Sequence, residues 1–348
     1  MALAALSLLA ALWSGLARLG WDLPLAAGGL KENHGPLMVV GFLGTLISLE
    51  RAVALRRVWP YGAPLFAALS SLSLLIGLPL PLSQILAAAA GLFLISVFFF
   101  LCRQQPSAFF LTMGFGAFLW FAGNLLWYVG YPLHQVAPWW IGFLVLTIAG
   151  ERLELSRLMR LSVLSRTAFF VAIGVFLFGL GVSLFTLGYG LRLSALALIA
   201  VALWLLRYDI AWRSVRQVGL PRYMAVCLLS GYVWLGIGGL LWLLFADVFI
   251  AGRHYDAMLH SIFLGFVFSM IFAHAPIIFP SITGLAMPFR RAFYIHVGLL
   301  HVSLMLRVGG DLGQWQLGTK WGGLLNALTI LLFLANNVRS VKAGHKSV

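Results

Sequence analysis

Long apolar runs recur along the whole chain, each ended by glycine, proline, arginine or a short polar stretch. A helix needs about 20 mostly apolar residues to cross the hydrocarbon of a bilayer, and twelve runs meet that need. They lie near 2–19, 35–55, 61–79, 82–102, 107–130, 134–154, 166–187, 190–207, 223–247, 255–278, 290–308 and 318–339. The connections reach about fifteen residues at most, and no linker or soluble domain stands out. The pattern predicts an all-α integral membrane protein, with twelve transmembrane helices in a single transmembrane domain over 1–348. No basic residue precedes the first run, so it reads as a span and not as a cleaved signal.

Composition narrows the class further. Of 348 residues, 62% are hydrophobic and 9% charged, against about 45–50% and about 25% in soluble domains. A soluble globule could not cover its surface with so few charges. Disorder is excluded by the same figures, and two cysteines cannot make a disulfide scaffold. The net charge of +14 has a topological origin. Twelve spans put both termini on one side, together with Arg51, Arg56, Arg57, Arg103, Arg152, Arg157, Arg160, Arg166, Arg207, Arg213, Arg216, Arg222, Arg290, Arg291, Arg339, Lys342 and Lys346. Only Arg18, Lys31, Arg192, Arg253, Arg307 and Lys320 fall on the other side. Lys and Arg collect on the cytoplasmic face, so both termini are expected there, in a bacterial inner membrane. Anionic lipid headgroups are then the expected partners of these cations, and nucleic acid is not. Cys102 and Cys227 fall near cytoplasmic helix ends, where thiols stay reduced. No C-x-x-C-H is present, which argues against covalently attached haem.

The spans also echo one another. Gly41-Phe42-Leu43 is followed by Glu50-Arg51, nine residues after the glycine, and Gly142-Phe143-Leu144 by Glu151-Arg152 at the same distance. Leu264-Gly265-Phe266 has His274 nine residues after its glycine. His34, His134 and His260 stand near the starts of these three spans. Gly116, Gly123 and Leu125-Leu126-Trp127 match Gly231, Gly238 and Leu240-Leu241-Trp242. The chain therefore reads as three pseudo-repeated four-helix units, about 1–104, 105–220 and 221–348, an arrangement that places function between units.

Ionisable residues inside a membrane mark function by default. His34, His260 and His301 lie in the periplasmic half at similar depth, and neutral imidazoles suit a metal or haem iron. A polar interfacial residue at His34 and an interhelical hydrogen bond at His260 are the alternatives. On the cytoplasmic side His274, Tyr294 and His296 form a second polar group: a metal site, a proton entry or a set of hydrogen bonds that ties a re-entrant turn. The prolines in Ala275–Pro280 are expected to break the helix there. Glu50-Arg51 and Glu151-Arg152 read as ion pairs locking helix ends, with proton uptake as the alternative. Arg307 and Asp311 fall just beyond span 11, where an arginine suits haem propionates or simply snorkels.

Twelve helices in three units, with histidines on spans 2 and 10, resemble the catalytic subunit of haem–copper oxidases. Locally the stretch from His34 to Phe42, the stretch from His260 through His274, and the helix ending Leu306-Arg307 are more similar to the NnrS family of membrane haem and copper proteins linked to nitric oxide stress. The resemblance implies haem b, with copper as a second cofactor, and a role in nitric oxide or nitrosative-stress tolerance. It implies His34 and His260 as haem ligands, His301 as the alternative second ligand and Arg307 near the propionates. The sequence departs from the oxidases in lacking a copper histidine within span 6 and any histidine in span 7, which argues against dioxygen reduction.

Two functions follow as expectations. The first is a haem protein that handles a small gas or transfers electrons to or from a donor, an oxidoreductase if it is an enzyme. The second is a metal- or proton-linked transporter or assembly factor without haem. G-x-S-x-G, H-E-x-x-H and P-loop signatures are all missing, so hydrolase chemistry is not expected.

Overall fold

The computed structural model describes residues 1–24, 31–159 and 161–345, so Arg160 and Lys346 of the basic side lie outside it. Among the described residues the structure is helical, without a strand. A helix stands at each of the apolar runs: α1 (Ala2–Arg18), α2 (His34–Leu55), α3 (Gly62–Leu75), α4 (Leu80–Gln104), α5 (Ala108–Tyr128), α6 (Leu133–Leu155), α7 (Val163–Ser183), α8 (Leu187–Tyr208), α9 (Leu220–Phe245), α10 (Arg253–Thr283), α11 (Phe293–Leu312) and α12 (Gln316–His345). Ten of them are long and apolar enough to cross a membrane, and the protein is a multi-pass membrane protein. The exceptions are α1, with 17 residues, and α3, with 14. At 1.5 Å per residue they reach only about 26 and 21 Å, less than the roughly 30 Å of hydrocarbon.

The chain falls into two compact units, Met1–Glu151 and Arg152 onward. In the first, α1, α2 and α3 meet at Gly41. A Cβ there would lie 2.6 Å from the Ser71 Cβ and 2.9 Å from the Ser7 Cβ. Bare backbone lets the three helices close up, and the Ser7 and Ser71 hydroxyls bond to each other across it. Helices α4, α5 and α6 are tied by Asn124, which donates to the Ala87 carbonyl at 2.8 Å and accepts from Trp140 Nε1 at 2.9 Å.

Two helix pairs, one in each unit, pack in the same register. A Cβ on Gly116 of α5 would sit 3.0 Å from the carbonyl oxygen of Phe143, one residue after Gly142. A Cβ on Gly231 of α9 would sit 3.3 Å from that of Phe266, one residue after Gly265. Farther along, Gly123 faces Trp139 and Gly238 faces Ile262, each three residues before its glycine. Helices α2 and α10 share a second feature. Residues 37–44 and 261–268 adopt π-helical hydrogen bonding, each starting four residues before Gly41 and Gly265. Such a wide turn re-aims the faces on either side of it and is frequent at functional sites. Helix α6 is α-helical throughout.

The expected break at Ala275–Pro280 does not occur. Helix α10 runs on through Pro276 and Pro280 to Thr283 and stops at Gly284, whose φ of +72° suits a residue without Cβ. A proline has no N–H for the carbonyl four residues earlier. For Pro276 that carbonyl is Phe272, and it accepts instead from the Tyr223 hydroxyl of α9 at 3.2 Å. The foreign donor takes the place of the missing N–H, which explains why the helix continues.

Candidate functional site

The π segment of α10 begins directly after His260, in a helix turn that also carries Asp256. His260 Nδ1 lies 2.9 Å from the Asp256 carbonyl and 3.1 Å from its carboxylate oxygen. Both are acceptors, so Nδ1 bears the ring proton and the lone pair is on Nε2. The carboxylate is held in turn by Arg307 of α11, whose Nε and one terminal nitrogen each donate to it at 2.8 Å. That bidentate fork is the strongest geometry such a pair has. Arg307 is 8% exposed and Asp311 is fully buried, both inside α11, which runs four residues beyond its expected end. A Cβ on Gly322 would lie 2.5 Å from the Arg307 backbone nitrogen, so α12 approaches α11 at this point without a side chain between them. Thr319 of α12 donates to Asp311 at 2.9 Å.

In the first unit His34 is prepared in the same way. Its Nδ1 lies 2.8 Å from the Ala11 carbonyl of α1, which again puts the lone pair on Nε2. Gly15 of α1 makes room for the ring; a Cβ there would be 2.9 Å from His34 Cε1.

The other candidate histidines are engaged differently. His301 Nδ1 accepts from Trp234 Nε1 at 3.1 Å, so its proton sits on Nε2 and no lone pair is left for a metal. His274 Nδ1 donates to the Met270 carbonyl at 2.7 Å, and its Nε2 lies 2.9 Å from an Arg152 terminal nitrogen, which can only donate. Both ring nitrogens are thereby used. His296 is fully buried within a chain of bonds. Asn336 donates to its Nδ1 at 3.1 Å, its Nε2 donates to the Tyr223 hydroxyl at 3.0 Å, and that hydroxyl continues to Phe272. Tyr294 stacks edge-on against Tyr223. This second polar group is a hydrogen-bonded support for the proline-bearing stretch of α10 and offers no metal-binding lone pair.

A further buried cluster joins Arg152, marked by the Glu-Arg repeat, to Tyr232 and Asp209, which have no signal in the sequence. Arg152, 5% exposed, lies against the Tyr232 hydroxyl, which donates to Asp209 Oδ2 at 3.0 Å. Asp209 Oδ1 accepts from the Ala211 N–H at 2.7 Å. Burial pushes the Asp209 carboxyl above its ordinary range, against the opposing pull of Arg152 and of these hydrogen bonds. Asp256 is also absent from the sequence-derived candidates, although its place four residues before His260 puts both on one helix face.

Among the described residues no three His, Cys, Asp or Glu side chains gather into a group that could hold a metal ion. The donors fit haem iron, which takes axial imidazoles singly or in pairs. They do not fit copper, which wants a set of protein ligands around one ion. A family model described as a domain of unknown function (DUF8744) matches residues 1–342. No curated protein matches the chain.

Proposed function

The chain belongs to that family, and we propose from its residues that it is a haem-binding integral membrane protein of haem–copper oxidase-like architecture, which handles nitric oxide or a related small gas or transfers electrons. The observation that carries this reading is the Arg307–Asp256–His260 relay. Histidines that ligate metals usually donate their other ring N–H to a carboxylate or carbonyl, which fixes the tautomer and raises the basicity of the ligating nitrogen. A neutral histidine in an interhelical hydrogen bond needs no such backing. In the first unit, His34 carries the same tautomer. Arg307 acts in this reading through Asp256 rather than on a propionate. Bound to His260, haem b would supply a one-electron couple and a position for a small gas. The protein's own part is to hold the imidazole, fix its proton and exclude water.

The architectural side of the proposal is twelve spans in three pseudo-repeated units with cytoplasmic termini. It is supported by the shared register of α5/α6 and α9/α10 and by the matched π segments of α2 and α10. Copper has no part in it. A second reading, a proton-linked transporter or assembly factor without haem, is favoured by one observation, the buried Arg152–Tyr232–Asp209 cluster.

The deciding experiment is an absorption spectrum of the detergent-purified protein, oxidised and reduced, after expression with haem supply. A b-type spectrum is expected, lost or strongly altered in His260→Ala and retained in His274→Ala. A colourless wild type, or an unaltered spectrum in His260→Ala, would overturn the haem reading and leave the transporter.

A further inference from the structure

We propose that His301 is a hydrogen-bond donor to a small ligand of the haem site, one with an oxygen or nitrogen acceptor, and not an iron ligand. The inference rests on the haem reading above and deepens it. An indole N–H can only donate, so the bond from Trp234 Nε1 at 3.1 Å requires a lone pair on His301 Nδ1. The ring proton is then on Nε2. That nitrogen is buried and has no hydrogen-bond partner among the described residues.

Buried N–H groups are almost always paired, and each exception calls for an explanation. Here the exception is built in. Trp234 lies directly on Gly265, where a Cβ would come within 2.4 Å of the indole Cγ. Any larger residue at 265 would displace the ring and release the tautomer of His301. A glycine, a tryptophan and a histidine thus hold one N–H on Nε2 with nothing of the protein to receive it.

The donor also stands at a similar level along the helices to the proposed ligand nitrogen. Arg307, six residues after His301 on α11, reaches Asp256 one turn before His260. His301 reaches Trp234 at the level of Gly265, five residues after His260. At 1.5 Å per residue the first relationship puts the two imidazoles about 3 Å apart along the helices and the second about 8 Å, and both belong to the second unit. An acceptor of the diatomic class is small enough to enter a helix-packed interior, and a neutral N–H is the partner it can take there without a buried charge.

Carbon monoxide on the reduced, purified protein is the probe, with the C–O stretch read by infrared spectroscopy. It is measured in the wild type and in a His34→Ala background, which removes the other imidazole prepared as a ligand. Replacing His301 by Leu is expected to shift the stretch upward and to abolish its sensitivity to deuterium oxide. His301→Gln, which keeps an N–H donor, is expected to retain both features. Trp234→Phe frees Nδ1 to take the proton and gives Nε2 a lone pair, so this variant should bind carbon monoxide at least tenfold more weakly. An intact haem band with an identical stretch in wild type and His301→Leu overturns the role of His301 and leaves the haem reading standing. A wild type without a haem band overturns both.

Discussion

Arg152 donates to His274 at 2.9 Å, and its chain neighbour Glu151 accepts from Arg51. Counted from Gly41, Gly142 and Gly265, the residue ten places on in one span reaches the residue nine places on in the next, twice over. Arg51 of α2 reaches Glu151 of α6, and Arg152 of α6 reaches His274 of α10. Where a third arginine would stand, after His274, the chain has Ala275. The Glu-Arg repeat therefore locks each helix end to its successor, and the carboxylate becomes an imidazole in the last copy.

Arg152 is nearly buried and serves His274, Tyr232 and Asp209 together. Removing one member of a buried charged group leaves the rest uncompensated, at about 3–5 kcal/mol. Arg152→Leu is expected to lower the stability of the detergent-solubilised protein by about 3 kcal/mol, and Arg152→Leu/Asp209→Asn to recover part of the loss. Thermal unfolding of the two variants checks this. Equal stability in Arg152→Leu and wild type would refute it.

Tyr223 replaces an N–H that Pro276 cannot provide. Tyr223→Phe strands the Phe272 carbonyl and the His296 N–H, for a loss of about 1–3 kcal/mol. In a Pro276→Ala background the alanine N–H serves the carbonyl, so the same substitution should cost roughly 1 kcal/mol less. A double-mutant cycle measures the difference, and strict additivity would show that the two residues do not share the carbonyl.

This pair also marks how far the sequence can be read. The apolar runs locate every long helix, because burial in hydrocarbon leaves an apolar chain little other choice. The end of α10 is not legible, since the donor that rescues it sits 49 residues earlier on another helix. Asp256 is within reach, one turn before His260. Its partner Arg307 stands out in the sequence, but the carboxylate it serves lies 51 residues away, and a haem propionate takes its place in a reading without distances. The ligand chemistry of His301 depends on a Trp234 contact that Gly265 permits, and in the sequence that glycine is only a repeat marker. Distant pairs of this kind leave no periodicity in the chain.

The Asp209 carboxyl titrates above its unfolded value of 3.8 because burial disfavours its charge. The native state then holds the proton more tightly than the unfolded chain, and stability falls as pH rises above about 4. The amide of an Asp209→Asn variant has no proton to lose. The melting temperature of the wild type, relative to that variant, should therefore decrease from pH 4 toward neutrality. A difference that stays flat over this range would contradict the assignment.

The basic residues set the orientation. Reporters fused after Tyr131, between α5 and α6, and after Arg213, between α8 and α9, are expected to report opposite sides of the membrane, with Arg213 cytoplasmic. Both fusions reporting one side would overturn the topology.

The sharpest test of the haem reading is Asp256, which touches no ligand in that reading and acts only through His260 Nδ1. Its carboxylate makes the imidazole a stronger donor and, with Arg307, fixes the direction of Nε2. Asp256→Asn keeps the shape and one acceptor oxygen but removes the charge. Helix packing at α11 is left with an unpaired Arg307, so some loss of stability is expected and has to be separated from the effect on the haem. Losses of this kind weaken metal affinity about 10- to 100-fold. Asp256→Asn should accordingly retain a b-type spectrum at saturating haem, release it more readily on dilution, and show a higher midpoint potential, because a less basic imidazole stabilises oxidised iron less. Arg307→Gln loosens the carboxylate but removes the cation that neutralises it, so it should weaken haem retention by a smaller amount and move the midpoint potential downward, opposite to Asp256→Asn. Haem titration and a potentiometric titration give the two readouts. An unchanged potential in Asp256→Asn, with affinity intact, would show that the relay is only a helix–helix tie and that His260 is not the ligand it supports.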